Sequence, residues 1–487
     1  MHTTESKRLT TGLFRGQDEA RGAYATAALL PTPGVSTPGL VQKVAVTVLF
    51  AVLVFTVQVV VSRISLQLGA PLGSAMAQDG EQKKQQETRR TPALRNKVYE
   101  QLAEAQTFIE AKQYTEALEV LNDMEAQKGK RALNSYELAN LYNLFAFVYY
   151  SQEDYLGALR AYENVARQPD IPVLMEINTR YTIAQLYFVM EDWQAGVDAL
   201  NEWFKVTQTP SAQAYILLGQ GYYQLKDYDN SLKNTLIAVN DYKSRGKIPK
   251  EQWYSLLRFL HFEKNDVPAT IDVLEEMLVY YPKKQYWVQL SHMYGEAKDE
   301  KRQLAAMDVA YQQDFLVKDR EQLTMAYLFL NADVPYKAAK VIDKGVANES
   351  MEDSSKTLEI LGNAWRQSQE LEKSIPVLEK AASKSDDGEI YCRLGNVYLD
   401  DDKFQKSVTA NRKGLSKGGV KRPDQCQLVL GMALFNLSRY DEARKAFEAA
   451  AKDERSEKYA AQWMKYMKSE IARQEELKKD MGDFAAL

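Results

Sequence analysis

At 487 residues the chain is long for one compact core, which leaves several domains or one extended array. Its 62 Lys and Arg against 66 Asp and Glu leave a net charge of −4. With a pI near 5.8, this is not the profile of a nucleic-acid binder, which needs a clustered basic surface to neutralise phosphates.

Residues 1–42 read as an irregular extension broken by Pro31, Pro33, Gly34, Pro38 and Gly39. Residues 43–77 read as a signal peptide or signal anchor. Val44 to Val61 is the one long apolar run, and Ala75-Met76-Ala77 matches a signal-peptidase site. The stretch from Val61 to Ala77 is long for a cleavage region, so cleavage and retention in the inner membrane both stay open. A signal of ordinary length begins near Leu40 or Val41, which suggests a later translation start. Lys7, Arg8, Arg15, Arg21 and Lys43 keep the N-terminus in the cytoplasm and send the rest out. Residues 78–97 form a polar, charged linker.

From Val98 onward apolar residues recur at helical spacing, in ten copies of one pattern. Each copy has a small residue, a large one, a turn, a second small residue and a second large one. The first small slots are Ala105, Ala146, Ala184, Gly219, Ser291, Ala326, Gly362, Gly395 and Gly431, with Arg258 in a degenerate fifth copy. The step to the second slot is 12 residues, as in Ala105–Ala117, Ala184–Gly196, Ala326–Ala338 and Gly431–Ala443. Two antiparallel helices approach closely only where both present small side chains, which accounts for the constant step. Glu457 to Lys478 then places Tyr459, Trp463, Tyr466, Met467 and Ile471 on one stripe, as a solvated end-cap does.

Residues 98–452 resemble the tetratricopeptide repeat (TPR) family, whose repeats spell a large residue, Leu-Gly or Leu-Ala, then Tyr, Ala, Phe and a final Pro. The resemblance implies an all-α fold: a right-handed superhelical solenoid of about ten TPR helix-turn-helix repeats, with a C-terminal capping helix in 453–487. The final Pro is mostly missing outside Pro169 and Pro282, and Arg258, Gln303 and Asn411 break their slots. By analogy with the family, a concave partner-binding groove is lined by residues three before, one after and four after each first slot. That face includes Asn143, Phe147, Tyr150, Tyr181, Gln185, Phe188, Gln220, Tyr223, Phe259, Tyr327, Asn363 and Asn396. It is aromatic and amide-rich with few charges, which suits an extended, largely uncharged peptide or a partner helix.

Cys392 and Cys426 sit in successive first helices, where a bridge is conceivable in an oxidising compartment; two small packed thiols are the expectation. The three histidines have no metal-ligand spacing, and no phosphate loop, GxSxG, HExxH or CxxC occurs. No enzyme activity, metal or cofactor is expected. The stretch from Ala93 to Glu100 through the tyrosine-rich second copy also resembles TPR proteins of TonB–ExbB–ExbD systems in Gram-negative bacteria. That likeness implies a periplasmic protein-binding adaptor accessory to TonB-dependent energy transduction. An adaptor for outer-membrane or peptidoglycan machinery is the alternative.

Overall fold

The computed structural model describes residues 92–485, with side chains to residue 477. The extension, export signal and most of the linker lie outside these residues. The described residues hold 21 α-helices, one short 3-10 turn and no strand, and they divide between two compact units that meet in sequence at Tyr281 and Pro282. No described helix is long and apolar enough to cross a membrane.

The first unit holds five helix hairpins: α1 Asn96–Glu110 with α2 Tyr114–Glu125, α3 Ser135–Ser151 with α4 Tyr155–Ala166, and α5 Val173–Val189 with α6 Trp193–Val206. Then follow α7 Ala212–Gln224 with α8 Tyr228–Ser244, and α9 Glu251–Glu263 with α10 Val267–Tyr280. The second unit holds five more: α11 Lys284–Glu296 with α12 Glu300–Gln312, α13 Asp319–Asn331 with α14 Pro335–Ala347, and α15 Ser355–Gln367 with α16 Leu371–Lys384. Next come α17 Glu389–Asp400 with α18 Phe404–Lys417, and α19 Pro423–Asn436 with α20 Tyr440–Ala450. The helix α21, Glu454–Ala485, closes it as the expected cap, packing Trp463 and Met467 beneath Phe435 and Phe447. Within each unit a helix packs on its hairpin partner and on the hairpin that follows.

The 12-residue step is where paired helices touch. The hydroxyl of Ser231 donates to the carbonyl of Gly219, Ser374 to Gly362 and Ser407 to Gly395, each at 2.7 Å in a buried seam. In the sixth hairpin the polarity reverses, and Ser291 donates to the carbonyl of Gln303 at 2.9 Å. Where both slots hold alanine, as in Ala105–Ala117, Ala146–Ala158 and Ala326–Ala338, the pair is fully buried. One helical turn past the second slot a side chain leans back on the first. A Cβ placed on Gly219 would lie 2.7 Å from Thr235 Oγ1, and one on Gly431 would lie 2.5 Å from Phe447.

The irregular copies repair themselves by the same logic. Asn411 stands one turn past the second slot of the ninth hairpin, fully buried above Gly395, and donates its amide to the Ser407 carbonyl at 2.8 Å. Gln303 is accommodated because Gly295 opposite it has no Cβ.

Every hairpin turns through one left-handed residue seven places after the first slot. They are Lys112, Glu153, Glu191, Lys226, Asn265, Lys298, Asp333, Gln369, Asp402 and Ser438, and none is glycine. The following N–H reaches back to the carbonyl five residues earlier, as from Asp154 to Tyr149 at 2.9 Å, closing the first helix in a Schellman-type turn. In five hairpins that following residue is an aspartate which also caps the second helix: Asp154, Asp192, Asp227, Asp266 and Asp299. Tyrosine hydroxyls tie one hairpin to the next, with Tyr142 donating to Glu125 at 2.8 Å and Tyr398 to Glu379.

Cys392 and Cys426 form a disulfide between α17 and α19, with Cα atoms 5.4 Å apart. This corrects the expectation of two free thiols. Successive first helices run side by side, so Cys392, three before its first slot, and Cys426, five before the next, come within bridging distance.

Two carboxylates are buried with arginine partners. Glu137 in α3, with its side chain 0 % exposed, takes Nε and Nη2 of Arg95 at 2.8 and 2.6 Å and also accepts the N–H groups of Arg95 and Asn134. Asp424 in α19 is held by Arg422 and by the Ser456 hydroxyl at the start of α21. Burial raises the Glu137 carboxyl, and its hydrogen bonds outweigh that, leaving it below its usual value. A carboxyl depressed by folding contributes stability that is complete above its unfolded value, about 4.3, and drains as pH falls through the folded one. Glu137→Gln is therefore expected to cost about 1–3 kcal/mol at neutral pH and to flatten the acid limb of the stability profile. Urea titrations across pH check this, and an unchanged acid limb contradicts the bridge.

Candidate partner-binding surface

The three candidate positions on each first helix lie three or four residues apart, so they share one face by register. Ten of the twelve candidates are half-buried: Asn143, Phe147, Tyr150, Tyr181, Gln220, Tyr223, Phe259, Tyr327, Asn363 and Asn396. Such residues are held in place by the fold yet still present surface. Phe147 rests on a small cluster with Ile109, Ala117 and Val148.

Phe188 and Gln185 depart from the expectation. Phe188 is 1 % exposed and fills the space left by Gly196 and Gly221, which makes it core rather than lining. Gln185 is 5 % exposed, and its Oε1 has no hydrogen-bond partner among the described residues. Tyr181 keeps some surface, but its ring packs on Trp203 at 4.9 Å and burial pushes its hydroxyl well above the usual value.

The aromatic candidates four after the first slot have an internal partner that periodicity did not reveal. Tyr150 packs against Tyr155 at 5.6 Å, Phe188 against Trp193 at 6.2 Å, Tyr223 against Tyr228 at 6.1 Å and Phe435 against Tyr440 at 5.8 Å. Each pair spans its hairpin turn, joining positions four and nine after the first slot. Tyr223 also meets Phe259 of the next first helix edge-on at 5.4 Å. Burial pushes the Tyr150 hydroxyl up to about 12, so it stays protonated and able to donate near neutrality.

In the second unit the face is more charged than expected. Arg393 joins Glu359 at 3.0 Å and Glu389 at 3.2 Å, and Arg366 joins Asp400 at 2.8 Å. Burial raises the Glu359 carboxyl against the pull of Arg393. These pairs were missed because Arg393 and Asp400 sit one residue off the three candidate positions. No group of His, Cys, Asp or Glu among the described residues could hold a metal ion.

A tetratricopeptide repeat family model matches residues 428–465. No curated protein matches the chain. Among solved structures, the chain is similar to MamA at 20 % identity, covering 36 % of this chain and 97 % of MamA with a TM-score of 0.30. It is similar to YrrB, a TPR protein with an unusual peptide-binding site, at 11 % identity, 39 % and 97 % coverage and a TM-score of 0.33. A tetratricopeptide repeat protein from Parabacteroides merdae shows 11 % identity, 53 % and 98 % coverage and a TM-score of 0.28.

The two kinds of candidate separate experimentally. Phe188→Ala is expected to destabilise the protein by about 3–5 kcal/mol, whereas Asn143→Ala stays within about 1 kcal/mol. Chemical denaturation of both variants checks the division, and equal costs contradict it. The tenth hairpin and the start of α21 form a tetratricopeptide repeat by sequence match, and the nine hairpins before it follow the same two-helix plan.

Proposed function

We propose that the chain is a non-enzymatic protein-binding scaffold on the periplasmic side of the cell envelope, taking an extended peptide or a helix along the first-helix face. The observation that carries this reading is the recurrence of half-buried amide and aromatic side chains at three positions of one helix face: Asn143, Phe147, Gln220, Tyr223, Asn363 and Asn396. Amides pair with the donors and acceptors of a peptide backbone, and half-buried rings give contact area at low entropic cost.

The Cys392–Cys426 bridge supports placement outside the cytoplasm, because disulfides persist in oxidising compartments. The apolar run Val44 to Val61 and the likeness of Ala93 to Glu100 to TonB-system proteins support an accessory role in TonB-dependent energy transduction.

Co-purification of the full-length chain with a TonB-type protein from membranes tests this. The interaction is expected to be lost when Asn143→Ala and Gln220→Ala are combined, with circular dichroism and melting unchanged. Retention of the partner by that folded double variant counts against the face.

A further inference from the structure

Three of the four ring pairs that span hairpin turns lie in the first unit, and the third is continued by Phe259. Phe262, one helical turn past Phe259, is 50 % exposed. The turns between the rings of the second and third hairpins are acidic, whereas the fourth carries Lys226 beside Asp227. Glu153 and Glu191 stand at the left-handed turn positions of the second and third hairpins, exposed and without an ion-pair partner among the described residues. The units also differ in charge. From Pro92 to Tyr281 there are 18 Lys and Arg against 26 Asp and Glu (18 − 26 = −8), while from Pro282 to Leu487 there are 34 of each (34 − 34 = 0).

We propose that this aromatic, acidic edge of the first unit binds an extended, proline-rich peptide segment that carries lysine or arginine. The inference rests on the peptide-binding reading above and narrows its ligand to a cationic one. Proline-rich segments are already ordered as polyproline II, so they lose little entropy on docking, and their rings pack on aromatic faces. Their carbonyls need donors, and the Tyr150 and Tyr223 hydroxyls remain protonated to supply them. One turn of polyproline II advances about 9 Å, and packed helices stand about 8–10 Å apart. The ring surface open to such a ligand is that of Tyr150 and Tyr155, of Trp193, and of Tyr223 and Tyr228, since Phe188 is buried. Basic side chains between the prolines gain over the ring faces and beside Glu153 and Glu191, and the negative unit draws them in. The neutral second unit, whose arginines are already joined to Glu359, Glu389 and Asp400, gives such a ligand no comparable field.

Fluorescence anisotropy with the full-length chain and a labelled peptide of repeating Pro-Pro-Lys triplets tests this, with Pro-Pro-Glu and Gly-Ser-Lys peptides as comparators. The Pro-Pro-Lys peptide is expected to bind and the other two to bind at least about tenfold more weakly, a gap worth one cation–π or stacking contact. Phe262→Ala, at an exposed position, and the combined Glu153→Gln and Glu191→Gln variant are each expected to weaken binding while leaving melting unchanged. Equal binding of Pro-Pro-Glu overturns the cationic requirement, and equal binding of Gly-Ser-Lys overturns the proline requirement. Binding unaffected by these variants moves the site off this edge and overturns the assignment. No binding of Pro-Pro-Lys, with TonB-type partner capture still sensitive to Asn143→Ala and Gln220→Ala, overturns the narrower inference and leaves the general one standing.

Discussion

The close approach of two helices at a fixed pair of small residues governs the fold. At the seam between Gly219 and Ser231, or Gly362 and Ser374, one side has no side chain and the other turns a hydroxyl onto the exposed carbonyl. This arrangement solves two problems together. It removes the volume that would keep the helices apart, and it pairs a buried hydroxyl that would otherwise cost free energy. Where both slots are alanine, no hydroxyl is present and the seam closes by packing alone. A large side chain one turn further on, such as Leu121, Tyr162, Leu378 or Phe447, then fills the space beside the notch. All ten hairpins place their left-handed turn residue seven positions after the first slot, which keeps the two slots opposite one another.

That regularity made the architecture readable. A repeat of small and large residues at constant step predicted all-helical hairpins and a terminal cap, because the step reflects packing geometry rather than residue chemistry. The details that escaped depend on which hairpins become neighbours. The bond between Cys392 and Cys426 exists because successive first helices run side by side, and their spacing alone left bonded and free thiols open. Phe188 carries the same spacing signal as Tyr150 and Tyr223. Only the facing pair of Gly196 and Gly221 draws it inward, and that is a tertiary fact. The turn residues gave no glycine to notice. Their left-handed backbone is held by the Schellman-type bond and, in five hairpins, by an aspartate cap. Arg95 and Glu137 lie 42 residues apart, and nothing local joins them.

The scaffold and its candidate surface are parts of one design. The seam fixes the first helices, so every side chain three before, one after or four after the notch returns to the same face. Packing at the seam leaves most of those side chains half-buried, with Phe188 and Gln185 drawn into the core. Aromatic pairs across the turns line the edge of that face in the first unit, while ion pairs lie near the corresponding positions in the second.

A double-mutant cycle on Gly362 and Leu378 tests the packing claim most directly, since a Cβ at Gly362 would run into the Leu378 side chain. Gly362→Ala alone is expected to destabilise the protein by about 1–3 kcal/mol through overpacking. In a Leu378→Ala background the same change is expected to be nearly neutral, giving a coupling of at least about 1 kcal/mol. Strict additivity of the two substitutions would mean that the notch and the side chain beside it do not touch, and that the fold is held by something else.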